Sequence, residues 1–155
     1  MVDWQIIRGG RLLDARRQSA DPTDILIKGD EIAEMGPPGL AAPPDARVVS
    51  AEGFLLHPGL VNAHTHSHSN LSKSAGDLWT LELLLAAGSW ITGRRGPDYN
   101  YLSTLVGACE MLLKGCTAAY DLVIEVAIAT VDGIQAAARA YMDAGMRAVI
   151  APAVT

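Results

Sequence analysis

Apolar and polar residues alternate in short bursts over the first sixty positions, and after Pro58 they fall into helical stripes separated by apolar runs. Residues 4–7 and 11–13 flank Gly9-Gly10, and residues 24–28 and 31–35 flank Gly29-Asp30. Glycine supplies the positive φ of tight turns, so each pair predicts a β-hairpin. The proline-rich residues 37–44 predict a surface loop, and residues 47–49 and 54–56 predict two more strands. Together these strands predict part of a small β-sandwich domain over residues 1–57.

Past Pro58 the period changes. Leu102, Leu105, Val106, Cys109, Leu112 and Leu113 recur at spacings of three and four, which predicts a helix burying that face and ending at Gly115. Residues 116–123 form a run short enough for a buried parallel strand. The pattern then repeats, with a stripe of Val131, Ile134, Ala138, Tyr141 and Met142, a cap at Gly145, and a strand over residues 146–154. The capping glycines lie about 30 residues apart, close to the roughly 31 per βα unit in a barrel of roughly 250 residues. With the strand leading into His64, three parallel strands end near His66, Val123 and Thr155. The expected class is therefore α/β: a partial TIM (β/α)8 barrel over residues 58–155, truncated after its third strand, behind the β-sandwich portion at 1–57. Residues 77–91, with Trp79, Leu81, Leu84, Leu85 and Trp90, form a long connection after the first strand, where barrels shape their pockets. A pocket-shaping segment and a packed surface helix or subunit contact are both compatible with it.

Composition narrows the function classes. Half of the 155 residues are hydrophobic, enough for a real core. The formal net charge is −5, from 17 acidic and 12 basic residues, and no basic cluster offers a footprint for nucleic acid or an anionic membrane. No stretch reaches the roughly 20 apolar residues of a membrane helix. The two cysteines, Cys109 and Cys116, sit in apolar runs and form no disulfide framework, which predicts a reducing, cytoplasmic setting.

The segment carrying chemistry is His57-Pro58-Gly59-Leu60-Val61-Asn62-Ala63-His64-Thr65-His66. Residues two apart in a strand face the same side, so His64 and His66 present both imidazoles at the strand's C-terminal end, where barrels hold their active sites. Two imidazoles so placed can share one divalent cation, at about 2.0–2.1 Å each for zinc. His-x-His alone is equally the mark of ordinary surface or core histidines, and the context is what singles it out.

That context, the string from Pro58 to His66 behind a strand-rich start and ahead of βα repeats, resembles the amidohydrolase superfamily. The resemblance runs from Gly9-Gly10-Arg11 through residues 24–27 to Gly115-Cys116-Thr117-Ala118. Residues 64–71 are similar to the branch holding cytosine, guanine and adenosine-type deaminases and triazine hydrolases, while Ser67-His68-Ser69-Asn70 departs from the usual dihydroorotase and hydantoinase string. The resemblance implies one divalent metal ion, zinc ahead of iron, held by His64 and His66 with a histidine of the fifth strand and an aspartate of the eighth. A further histidine and a glutamate would handle protons, and none of these later positions falls within the 155 residues. The implied reaction is hydrolysis of a non-peptide carbon–nitrogen bond by metal-activated water, deamination of a nitrogen heterocycle foremost. The expected assembly is a homo-oligomer or association with the rest of the barrel. The alternative from another class is an inactive fragment or non-catalytic assembly module, because a catalytic zinc takes three or more protein ligands and two are offered here.

Other residues carry weaker expectations. His68 and Trp79 are the candidate substrate contacts, His68 weighed against a solvated loop histidine. His57 is assigned to structure. Lys73 resembles the carboxylated lysine of binuclear relatives, yet in that resemblance the lysine lies on the fourth strand, so Lys73 is read as a surface residue. Asp121, at the end of the second barrel strand, either fixes a loop by hydrogen bonds or touches substrate. The absence of a Cys-x-x-Cys pair argues against the unrelated zinc deaminase fold.

Overall fold

The computed structural model describes residues 3–92, 95–125 and 128–153, without the side chains of residues 89–92. Val154, Thr155 and the side chain of Trp90, all named above, lie outside the described residues. The chain is mixed α/β and divides into two compact units, Met1–Pro58 and Gly59–Thr155.

The first unit is one mixed sheet built from β1 (Trp4–Asp14), β2 (Ser19–Lys28), β3 (Glu31–Gly36), β4 (Arg47–Ser50) and β5 (Leu55–Leu56). Its order is β3-β2-β1-β4, with β5 also on β1, and β4 and β5 run parallel to β1 while β2 and β3 continue the antiparallel meander. All five described strands of this unit belong to that one sheet.

The hairpin expected at Gly9-Gly10 is absent, because β1 runs straight through both glycines. They mark a register shift between Ile7 and Gly10, with Gly9 at φ +81°. A Cβ on Gly10 would meet Leu56 at 2.6 Å, so close approach of β5 explains that glycine. The chain reverses instead after Asp14, whose carboxylate accepts the amides of Arg16 and Arg17 at 2.9 and 3.0 Å. An aspartate closing a turn on its own backbone needs neither glycine nor proline, which is why the pattern did not reveal it. The second expected hairpin is present, with Gly29 at φ +63°.

In the second unit β6 (Leu60–Thr65), β7 (Cys116–Val123) and β8 (Arg147–Pro152) form an all-parallel sheet in that order. A 3-10 helix (Ser67–Ser72), α1 (Leu81–Thr92) and α2 (Pro97–Leu113) lie between β6 and β7, and α3 (Val131–Ala144) lies between β7 and β8. The helix ends follow the sequence closely. Pro97 starts α2, where a missing amide proton costs nothing, and Gly115 follows it at φ +83°. Thr130 caps α3 by accepting the Gly133 amide at 3.0 Å. At its other end Met146 donates to Tyr141 and Gly145 to Met142, the paired bonds of a Schellman ending.

The buried faces of both helices differ from the expected stripes. On α2 the buried residues are Asn100, Ser103, Thr104, Gly107 and Ala108, while Leu102, Val106, Cys109 and Leu113 are exposed. On α3 they are Gly133, Ala136, Ala137, Ala140 and Tyr141, with Val131 and Met142 exposed. Small side chains let backbones approach closely: a Cβ on Gly107 would come within 1.9 Å of the Asn70 amide. Ala108, Ala119, Tyr141 and Met146 form the core cluster between helices and sheet. Among the described residues no helix is long and apolar enough to cross a membrane.

Candidate metal centre

The register between β6 and β7 shifts between Asn62 and Thr65, so strict alternation is interrupted beside Ala63 and His64. The two imidazoles nevertheless meet. Nε2 of His64 and Nε2 of His66 are 3.0 Å apart, with the rings nearly perpendicular at 86°. Asn62 sits behind them, its Oδ1 accepting the His64 amide at 3.3 Å.

His66 is held in one tautomer. Its Nδ1 lies 3.0 Å from the carbonyl oxygen of Leu122, and a carbonyl can only accept, so Nδ1 carries the proton and Nε2 keeps a free lone pair. A ligating histidine is typically oriented in this way, through its second nitrogen. Two neutral nitrogens on one tetrahedral cation at about 2.0–2.1 Å would be separated by roughly 3.3 Å. The observed 3.0 Å is near that value and equally suits a bond between the two rings. The donor set thus fits one edge of a metal site. Among the described residues no group of three His, Cys, Asp or Glu side chains gathers around an ion.

His68 is not a solvated loop histidine. It is half-buried, its ring stands 5.6 Å from that of His66, and its Nδ1 accepts the Ile124 amide at 3.2 Å. Burial, reinforced by His66, holds its pKa below the ordinary imidazole value. A cavity of about 450 Å³ opens beside His66, lined by Thr65, Ser69, Asn70, Ser72, Lys73 and Asp77 among others. Trp79 is not part of that lining; it stands near Gly76 and Leu84, and only Gly76 and Leu84 of this trio border the cavity. Lys73 is paired with Glu110 at the surface. His57, in the first unit, is exposed, with Nδ1 donating to the Pro58 carbonyl at 2.7 Å.

Asp121 fixes a loop. It is fully buried, and its carboxylate accepts the Ser67 amide at 2.9 Å and the Tyr141 hydroxyl at 3.1 Å. Ser67 is anchored further by Ser103, whose hydroxyl donates to the Ser67 carbonyl at 2.6 Å, and by Thr104, 3.0 Å from its hydroxyl. Nothing in the apolar periodicity points to these roles for Ser67, Ser103 and Thr104, and it places Tyr141 simply in an apolar stripe. A polar pair inside an apolar helix, Ser103-Thr104 between Leu102 and Leu105, is the signal that would have found them.

Burial, with the neighbouring Asp121 charge, pushes the Tyr141 phenol well above its ordinary value. The folded chain therefore keeps that proton while the unfolded chain loses it near about pH 10, so stability is full below that pH and falls as pH rises past it. Urea unfolding followed from about pH 8 to 11 should lose stability more steeply in the native chain than in Tyr141→Phe. Equal slopes would show that Tyr141 is not the group responsible.

The second unit is an all-parallel βαβ sheet with two imidazoles converging at the end of its first strand. The family model for the amidohydrolase family matches residues 55–155, and the chain belongs to that family. The 5'-deoxyadenosine deaminase of Methanothermobacter thermautotrophicus is 34% identical over 150 residues, covering 94% of this chain and 32% of that protein. The dihydroorotase of Geotalea daltonii is 36% identical over 84 residues, 54% of this chain and 20% of that protein. Among solved structures, atrazine chlorohydrolase from Arthrobacter aurescens TC1, complexed with zinc, matches at a TM-score of 0.77 and 30% identity over 95% of this chain and 35% of that one. The chain spans about a third of the length of the 5'-deoxyadenosine deaminase.

Proposed function

We propose that the protein carrying this chain is a metal-dependent hydrolase of non-peptide carbon–nitrogen bonds that deaminates a nitrogen heterocycle. The observation that carries the reading is the 3.0 Å approach of the His64 and His66 Nε2 atoms at the end of β6. In this reading residues 58–155 are the first part of a (β/α)8 barrel, and residues 1–57 are part of a β-sandwich whose other sheet comes from elsewhere in the protein. The exposed Leu102, Val106 and Leu113 of α2 support further packing, against the rest of the barrel or another copy. The unpaired Cys109 and Cys116 agree with a reducing cytoplasm.

His64 and His66 would hold one divalent ion, zinc by analogy with the zinc-bound chlorohydrolase. When bound, such an ion supplies Lewis acidity and lowers the pKa of a coordinated water towards about 7. The chain's own residues set the stage for it. Leu122 fixes the His66 tautomer, and Asn62 steadies the His64 backbone. The hydroxyls and amide of Ser69, Ser72 and Asn70 line a space within the roughly 300–1,000 Å³ typical of small-molecule pockets. His68, whose ring stands 5.6 Å from that of His66, is a further candidate hydrogen-bond partner for substrate.

The test is ammonia release from a panel of 5'-deoxyadenosine-type nucleosides and amino-triazines, with chloro-triazines and dihydroorotate as competing leaving-group chemistries. Turnover of an aminated heterocycle, lost on chelation and restored by zinc, is the expected result. Turnover confined to dihydroorotate would overturn the deaminase reading and keep the family. No turnover of any substrate by zinc-loaded protein would favour the non-catalytic module.

A further inference from the structure

We propose that Asp121, steadied by Tyr141, is a positioning residue that fixes the Ser67 peptide and thereby presents His66 and His68 to the metal centre. The proposal rests on the reading of His64 and His66 as metal ligands. The end of β7 grips three consecutive residues after β6: the Leu122 carbonyl accepts a hydrogen bond from His66 Nδ1, the Asp121 carboxylate accepts one from the Ser67 amide, and the Ile124 amide donates to His68 Nδ1. Within β7 and its continuation these partners are rigid main chain, except Asp121, the one side chain among them. Its neighbour across the strands is Thr65, so the latch sits directly at the end of the β6–β7 ladder.

The chemistry of the latch favours a role beyond filling space. Asp121 and Ser67 are both essentially inaccessible to solvent, at 0% and 1% exposure. Among the described residues the hydrogen bonds to the Asp121 carboxylate come from neutral donors, the Ser67 amide and the Tyr141 hydroxyl. Burying a carboxylate without a bonded cation is costly, and an apolar residue would serve packing at lower cost. What the carboxylate adds is a charge-assisted bond, shorter and stronger than a neutral one, on the peptide that joins His66 to His68. Ser103 and Thr104 hold the other side of Ser67, so this residue is clamped from α2, from β7 and, through Tyr141, from α3. Outer partners of this kind typically alter metal affinity by about 10- to 100-fold when removed.

The experiment uses the full-length protein and three readouts: zinc affinity by chelator competition, the absorption spectrum of the cobalt-substituted form, and the His66 Nδ1–H resonance in metal-stripped protein. Asp121→Ala should weaken zinc binding by about 10- to 100-fold, alter the cobalt bands and broaden the His66 resonance. Tyr141→Phe, which leaves the Ser67 amide bonded, should move all three in the same direction by less. Ile6→Val, a buried change in β1 of the first unit that bears none of the latch hydrogen bonds, serves as the stability control and should lower Tm without moving them. If Asp121→Ala lowers Tm but leaves all three readouts at native values, as the control does, Asp121 is only structural and the proposal is overturned. Should Asp121→Ala fail to fold, Asp121→Asn and Tyr141→Phe decide, and native readouts in both overturn it. If His64→Ala and His66→Ala left zinc binding unchanged, the metal reading would fail by itself; the His66 resonance in metal-free Asp121→Ala would still decide the latch.

Discussion

Replacing His64 or His66 by alanine is expected to reduce hydrolysis by the full-length protein by several orders of magnitude, with bound metal falling in parallel. The two Nε2 atoms converge to 3.0 Å and the Leu122 carbonyl orients the His66 ring, while the neighbouring His68 already accepts the Ile124 amide through its Nδ1. In the proposed reading, loss of either would remove a ligand of the cation that makes hydroxide accessible near neutral pH. His57→Ala should keep most activity in protein that remains folded, since its imidazole is exposed and bonded to the adjacent Pro58 carbonyl. Turnover and metal content measured on the same three samples check this. A His66→Ala protein that retained both its metal and its rate would sink the assignment of the metal centre.

The second large effect concerns the metal itself. The 155 residues by themselves should retain well under one equivalent of zinc after dialysis, whereas the full-length protein should hold one ion. Two imidazoles occupy half of a tetrahedral shell, and among the described residues no third carboxylate, thiolate or imidazole joins them as a group. His68 is the nearest further imidazole, but its Nδ1 is occupied by the Ile124 amide. Metal analysis after dialysis provides the check. A stoichiometric ion kept by the 155-residue chain through residues other than His64 and His66 would mean that the site lies elsewhere.

Legibility followed the range of the interactions. Helix ends were readable because they are decided within a few residues: Gly115 and Gly145 adopt positive φ where the stripes stop. The strand Cys116–Val123 was readable as a short apolar run between a cap and a loop. The Gly9-Gly10 hairpin was misjudged because glycine serves close approach as readily as it serves a turn, and which one applies depends on β5, more than forty residues later along the chain. The helix faces were misjudged for a related reason. Periodicity locates an apolar stripe but does not say which neighbours are close, and on α2 the small and polar side chains are the ones that meet the rest of the unit.

The sequence by itself determined the candidate ligands, since two histidines two apart at the end of a strand are brought together by local backbone geometry, even across a register shift. It determined the change from hairpins to βα units as well, because both are written in short-range periods. Only the tertiary structure decided what holds the site in place. The carbonyl of Leu122, the carboxylate of Asp121 and the amide of Ile124 reach residues 66–68 from more than fifty positions away, and Tyr141 reaches Asp121 from α3. Such contacts leave no period in the sequence. They arise when parallel strands pair side by side, and the order of pairing is set by the burial of the whole unit.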